Sequence, residues 1–210
     1  MSVNTVAILS PGDMGYAVGR SLGEHGLDVV TCLRDRSERT RGLALRGNIR
    51  DLPTFEDMVS EADLVLSILV PAQAVGVAQQ VADALRNTGS RAFFADCNAV
   101  SPQTTATMAS IVDAAGGRYI DASIIGRPPG PDRAPRFYVS GPNADIMMEL
   151  DDKGIVVRHL GDAIGRASGI KMCYAALTKG TWALHMALLT AAEAMGLSEE
   201  LRTEFSSSQP

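Results

Sequence analysis

The sequence predicts an α/β protein in which a doubly wound parallel sheet is followed by a long helix and a short, all-α C-terminal region. Three observations predict it. Short β-type runs alternate with helical patterns over the first 125 residues, a glycine turn joins the first run to the first helix, and residues 162–195 form one long apolar stretch. The runs Val3–Leu9, Asp28–Leu33, Leu64–Val70, Arg91–Cys97 and Arg118–Ile125 are rich in Val, Ile, Leu or Phe, as strands covered on both faces are. Between them the spacing predicts helices over Asp13–His25, stopped by Gly26, over Ser37–Leu45, and over Ala72–Arg86 after the break at Pro71. Ser101 opens a further helix with Pro102 at its first position and Gly116-Gly117 at its end. Arg127–Pro135 holds four prolines and reads as a loop. Phe137–Ser140 and Ile155–Leu160 read as two more strands around a helix over Asn143–Leu150. From Asp162 to Met195 the pattern is one helix of 34 residues, roughly 50 Å at 1.5 Å per residue. Between Lys171 and Met195 only Lys171, Lys179 and Glu193 are charged, so this helix is expected to be buried on all sides.

Composition excludes several classes. With 210 residues, 46% hydrophobic and 20% charged, the chain has enough apolar surface for a core and is not disordered. Nineteen basic against twenty-four acidic side chains leave a net charge of -5, with no positive field to gather nucleic acid. Cys32, Cys97 and Cys173 are odd in number and lie in apolar surroundings, which predicts buried, reduced thiols and a cytoplasmic protein. No basic segment precedes an apolar run at the amino terminus and no uninterrupted apolar run reaches about eighteen residues, so neither a signal peptide nor a membrane span is expected. His25, His159 and His185 are scattered, and no metal site is expected.

The chemistry begins at Leu9-Ser10-Pro11-Gly12-Asp13-Met14-Gly15, a turn between strand and helix inside a βαβ unit. Gly12 would let a pyrophosphate approach the backbone, Gly15 would let the helix pack close on the strand, and the helix start supplies amides and a positive dipole end. Ser10 stands where the first glycine of G-x-G-x-x-G is expected, and Asp13 and Met14 complete the turn. This is the signature of a Rossmann-type nucleotide-binding domain, assigned here to residues 1–160, with residues 161–210 as a helical C-terminal region. The carboxylate that would hold the ribose hydroxyl of NAD is absent: that position is Leu33, followed by Arg34 and Arg36, with Ser37 and Thr40 close behind. Guanidinium groups there suit a 2'-phosphate, so the expected cofactor is NADP rather than NAD. The competing account makes Arg34, Arg36, Arg39 and Arg41 an ordinary solvated face.

These residues resemble the β-hydroxyacid dehydrogenase family, which includes 3-hydroxyisobutyrate and 6-phosphogluconate dehydrogenases. Gly12-Asp13-Met14-Gly15 is similar to the family's G-x-G-x-M-G loop and Leu69-Val70-Pro71 to its M-L-P turn. Asp121-Ala122-Ser123-Ile124-Ile125-Gly126 is similar to its D-A-P-V-S-G-G substrate loop, and Gly165 to Lys171 to its G-x-G-x-x-x-K helix. The stretch Lys171-Met172-Cys173-Tyr174-Ala175-Ala176-Leu177-Thr178-Lys179-Gly180 resembles the K-M-x-Y-A-x-x-T-K-G helix of one uncharacterised branch. Departures accompany the match: Ile125 replaces the substrate-loop serine, Arg127 its second glycine, Asn98-Ala99 a Ser-Thr pair, and Tyr174-Ala175 an asparagine pair.

The resemblance implies an oxidoreductase moving a hydride between NADP and a small 3-hydroxy acid or related anionic hydroxy compound. It makes Lys171 the acid-base group and Leu69, Val70 and Pro71 part of the cofactor site. Independently, a lysine on an apolar helix is desolvated, which lowers its pKa toward neutrality and suits proton exchange with an alcohol or ketone; snorkelling to water is the other reading. Tyr174 and Thr178 fall on one helical stripe with Lys171 and are candidates to replace the missing asparagine, although helix packing explains such a stripe equally. Asn98 is a candidate catalytic and cofactor-binding residue, with a helix cap as the other reading. Gly126 and Arg127, with Arg133 and Arg136 nearby, favour an anionic substrate or merely add solubility. The alternatives are imine reduction, against which Lys171 argues, and NADPH binding without catalysis. Family members continue past the long helix with further helices, whereas Gly196–Pro210 is fifteen residues ending in a polar run. The apolar helix therefore needs cover, and a homodimer is expected.

Overall fold

The computed structural model describes residues 2–208. Its strands are β1 (Thr5–Ile8), β2 (Asp28–Thr31), β3 (Arg50–Asp51), β4 (Leu64–Ser67), β5 (Phe93–Asp96), β6 (Arg118–Ile125), β7 (Arg136–Ser140) and β8 (Val156–His159). They make one sheet in the order β3-β2-β1-β4-β5-β6-β7-β8. Alternation along the strands explains why both faces are covered. Val6, Ile8, Leu64, Leu66, Phe93 and Ala95 join one core cluster, while Ala7, Leu9, Val65 and Phe94 join the other. The first cluster takes Val18 and Leu22 from α1 (Asp13–Glu24), Ala44 from α2 (Glu38–Arg46), and Met147 and Leu150 from a 3-10 segment (Ala144–Leu150). The second takes Met58 from α3 (Phe55–Glu61), Val81 and Leu85 from α4 (Ala74–Thr88), and Met108 and Val112 from α5 (Pro102–Asp113).

Four elements differ from expectation. Both β3 and α3 went unforeseen, because Arg50 and Asp51 show no apolar alternation and α3 has only seven residues. The Asn143–Leu150 helix is a 3-10 segment. Strand β7 is antiparallel to β6, while the remaining pairs are parallel. Residues 126–135 separate the two strands, too few for the crossover that a parallel partner requires, and Gly126 takes φ +129 as the chain turns back.

The long helix α6 spans Arg166–Ala194, 29 residues rather than 34. It begins late because Gly161 and Gly165 take φ +93 and +97, outside the helical region. Its first turn is held by Asp121, fully buried on β6. Asp121 Oδ2 accepts from the Gly165 and Ala167 amides at 2.8 and 3.1 Å and from Ser140 Oγ at 2.8 Å; Oδ1 accepts from Ser168 Oγ at 2.6 Å. Ser168 Oγ in turn lies 3.0 Å from Thr105 Oγ1 of α5.

The chain divides into two compact units, residues 1–171 and 172–210. The second holds most of α6 and α7 (Ser198–Ser208). Contrary to the expected burial, Trp182, Met186, Leu188 and Leu189 stand open, Trp182 with 75% of its surface exposed. Cys173, expected to be buried, is exposed as well, whereas Cys32 and Cys97 are buried free thiols. The apolar pattern of α6 asks for a cover that the described residues do not provide. Among the described residues no helix is long and apolar enough to cross a membrane.

Asp121→Ala removes the acceptor of five donors, the Gly165, Ala167 and Ser168 amides and the Ser140 and Ser168 hydroxyls, and should cost at least about 3 kcal/mol, a fall in Tm of roughly 6–12 °C by calorimetry, with Asp121→Asn in between. An unchanged Tm would show that the start of α6 is held by something else.

Candidate functional site

Strand order reverses between β1 and β4, and in such sheets the crevice for a ligand opens beyond the carboxyl ends of the strands at that point. The Leu9–Gly15 turn leaves β1 there. Three helices are closed at their starts by a hydroxyl: Ser37 accepts from the Thr40 amide, Thr54 from the Asp57 amide and Ser101 from the Thr104 amide. Helix α1 has Gly12 at that place and no side-chain cap, so its first amides remain available. A Cβ on Gly12 would meet nothing within 4 Å, leaving room for a ligand against the backbone. A Cβ on Gly15 would lie 2.5 Å from the Ser10 carbonyl oxygen, which already accepts from the Gly12 amide at 2.7 Å. Gly15 is therefore required by the packing of α1 on β1. Met14 is half-buried against the core, and Asp13 pairs with Arg39 at 2.6 Å on the surface.

Beyond β2 lies a cleft of about 520 Å³ whose polar lining is Arg34, Asp35, Arg36, Glu56, Gln80 and Asp83, with Cys32 and Phe55 beside them. The nearby arginines differ in what they do. Arg36 donates to the Leu9 carbonyl at 3.1 Å, Arg41 to the Leu33 carbonyl at 2.6 Å, and Arg39 holds Asp13. Arg34 is exposed at the cleft and has no hydrogen-bond or ion-pair partner among the described residues.

At the ends of β4 and β5 the polar groups are buried and tightly connected. Asn98, 4% exposed, accepts from the Leu69 amide through Oδ1 at 2.7 Å and donates through Nδ2 to Ser67 Oγ at 2.9 Å and Asp96 Oδ1 at 2.5 Å. It does not cap α5, which Ser101 closes, and both amide hydrogens are used within the protein. Leu69 leads to Val70, which is exposed, and Pro71, which opens a 3-10 turn (Pro71–Gln73). Sequence reasoning missed Asp96 and Ser67. The signal was a carboxylate ending the apolar run Phe93-Phe94-Ala95, an expensive place for a charge. Burial pushes the Asp96 carboxyl up to about 6, against the hydrogen bonds from Asn98 and Ser67, and the charge of Asp121 pushes the same way. Its second oxygen, Oδ2, is buried with no hydrogen-bond partner among the described residues. Burial likewise raises the Cys97 thiol well above its ordinary range.

At the end of β6, Lys171 Nζ donates to the Ile124 carbonyl at 2.6 Å, beside Gly126 and the exposed Arg127. The structure thus gathers the Ser10–Gly15 turn, Leu69–Pro71, Asn98 and Lys171 along one edge of the sheet. Tyr174 and Thr178 belong to the second unit, where the Thr178 hydroxyl donates to the Tyr174 carbonyl of its own helix at 2.8 Å.

Residues 5–150 match the family described as the NAD binding domain of 6-phosphogluconate dehydrogenase. The chain belongs to this family. Among relatives, it is 29% identical over 175 residues to an uncharacterised 28.5 kDa protein of Methanothermus fervidus, covering 83% of this chain and 66% of that protein. It is 26% identical over 199 residues to the mitochondrial 3-hydroxyisobutyrate dehydrogenase of Drosophila melanogaster, covering 92% of this chain and 58% of that enzyme. The chain therefore spans less than two thirds of either curated relative. A solved protein of unknown function, described as structurally similar to 3-hydroxyacid dehydrogenases, superposes with a TM-score of 0.79 at 29% identity, covering 98% of this chain and 77% of its own. Imine reductases share the family's fold at 17–20% identity.

The Asp96 carboxyl makes the stability of the fold depend on pH in one direction. Its folded-state value of about 6 lies above the ordinary 3.8, so the folded protein holds this proton more tightly than the unfolded chain, and stability is lost as pH rises through that window. The loss amounts to about 3 kcal/mol at neutral pH. Asp96→Asn should accordingly raise Tm at pH 8 by up to roughly 10 °C, with the gap closing toward pH 4; a gap of the same size at both pH values would contradict the shift.

Proposed function

We propose that the chain carries the nucleotide-binding and acid-base parts of an NADP-dependent oxidoreductase acting on a small 3-hydroxy acid or related anionic hydroxy compound. The observation that carries this reading is the Lys171 ammonium group tied to the Ile124 carbonyl on the same edge of the sheet as the uncapped start of α1. Bound NADP supplies or accepts the hydride. The residues of the chain do the rest. The α1 amides and the open space at Gly12 receive the pyrophosphate. Arg34, without a partner among the described residues, receives the 2'-phosphate, and the Leu69–Pro71 turn borders the nicotinamide end. With its amine neutral, Lys171 would take the proton of the substrate hydroxyl during oxidation, and as the resulting ammonium it would return that proton to the carbonyl oxygen in the reverse direction. Gly126, Arg127, Tyr174 and Thr178 are the candidate substrate groups, and Arg127 favours an anion.

Binding without catalysis is the alternative from another class, and turnover of NADP with a panel of small hydroxy acids decides between them. Reduced Cys32 and Cys97 support a cytoplasmic location. The open apolar side chains of α6 support a homodimer, since leaving each large one in water costs about 1.5–3 kcal/mol.

Arg34→Ala should weaken NADP binding about ten- to hundredfold and leave NAD nearly unchanged, as loss of one charge-assisted bond requires; equal losses for both cofactors would sink the assignment. Lys171→Met should lower turnover about 100- to 10,000-fold while cofactor affinity, measured by fluorescence titration, stays within a few-fold. Near-normal turnover would move the proton to another group. In light scattering the wild type should be dimeric at micromolar concentration and Trp182→Asp monomeric or aggregated; a well-behaved wild-type monomer refutes the dimer.

A further inference from the structure

We propose that Asp96 is a positioning residue: acting through Asn98, it fixes the Leu69–Pro71 turn in the form that receives the nicotinamide end of the cofactor. This rests on the cofactor reading above. The two ends of an asparagine amide are nearly alike in shape, and neighbours decide which end points where. Only Oδ1 can accept the Leu69 N–H, so the turn is held at 2.7 Å in one of the two orientations and released in the other. Asp96 forces that choice. An ionised carboxylate has acceptors only, and its Oδ1 stands 2.5 Å from Asn98 Nδ2; a flipped amide would set oxygen against oxygen there and N–H against N–H at Leu69. Ser67 cannot force it alone, because a hydroxyl both donates and accepts.

Three further observations favour a role beyond stability. The Asp96 carboxyl is buried with Oδ2 unpartnered, an arrangement that weakens the fold. Its register partner on β6 is a second carboxylate, Asp121, so the neighbouring charge repels it. The Leu69 amide is tied by a side chain rather than by a strand neighbour, and Val70 beyond it is exposed; Asn98 is therefore the link between the turn and β5. The ionisable neighbours of Asp96 are Asp121 and Tyr119 on β6 and Cys97 at the end of β5.

The test uses the full chain and two probes. NADPH spans both ends of the site, whereas adenosine 2',5'-bisphosphate reports on the Arg34 end alone. Asp96→Asn, whose amide no longer forces the Asn98 orientation, should weaken NADPH two- to tenfold, roughly one neutral hydrogen bond, and leave the bisphosphate unchanged. Asn98→Ala should do the same. The double variant should bind NADPH no more weakly than Asn98→Ala alone, because Asp96 acts through Asn98. Opposite signs, with Tm raised and NADPH affinity lowered in Asp96→Asn, are what a purely structural role would not produce. Unchanged NADPH binding in Asp96→Asn, equal loss of both probes, or additive losses in the double variant overturns the proposal while the cofactor reading stands. A wild type that binds neither probe overturns the cofactor reading itself, and this proposal with it.

Discussion

The Asp121 carboxylate, sealed between β6, β7 and the first turn of α6, is the constraint from which the arrangement of the site follows. A negative charge at a helix start faces the positive end of the helix dipole and the unpaired amides together, so the carboxylate is stabilised where it stands and the helix is aimed by it. Lys171 follows Ser168 by less than one turn, and its place over the end of β6 is inherited from that anchor. Beside Asp121 in register lies Asp96, and the contrast is instructive: one carboxylate is saturated with donors, the other has an oxygen left bare. Burial and the neighbouring charge of Asp121 together push the Asp96 carboxyl up.

Helix starts divide the molecule in the same way. Where Ser37, Thr54 and Ser101 close a helix, the local structure is complete. At α1 it is left open, and the packing that makes Gly15 obligatory also brings the open amides to the crevice. Stability is concentrated in the two apolar layers, while the edge of the sheet carries groups whose hydrogen bonding is incomplete or whose charge is poorly solvated.

What the sequence disclosed follows from which signals are periodic. Buried strands and capped helices announce themselves, so β1, β4 and β6 and the Ser101 cap lie where the pattern put them. The two-residue β3 has no period to read, and the reversal at β7 depends on the length of the 126–135 connection rather than on composition. The glycine turn and Lys171 were legible because their residue types stand out against their surroundings. The Asn98 network was not, since a side chain that bonds to Leu69, Ser67 and Asp96 is defined by neighbours brought together from three segments. Cys173 and the open face of α6 show a further limit: hydrophobicity states a need for burial and not where the covering surface comes from.

The borders of the sheet bear on whether a further strand can add to it. Strand β3 is two residues long and both are charged, with Arg50 engaged by Asp28 and Glu61, and at the other border Arg158 donates to the Val157 carbonyl at 3.0 Å. Short, charged borders of this kind resist the addition of another strand. Most of the large apolar side chains left in water lie on helices. Strand addition at these borders, which would grow without limit, is thereby disfavoured.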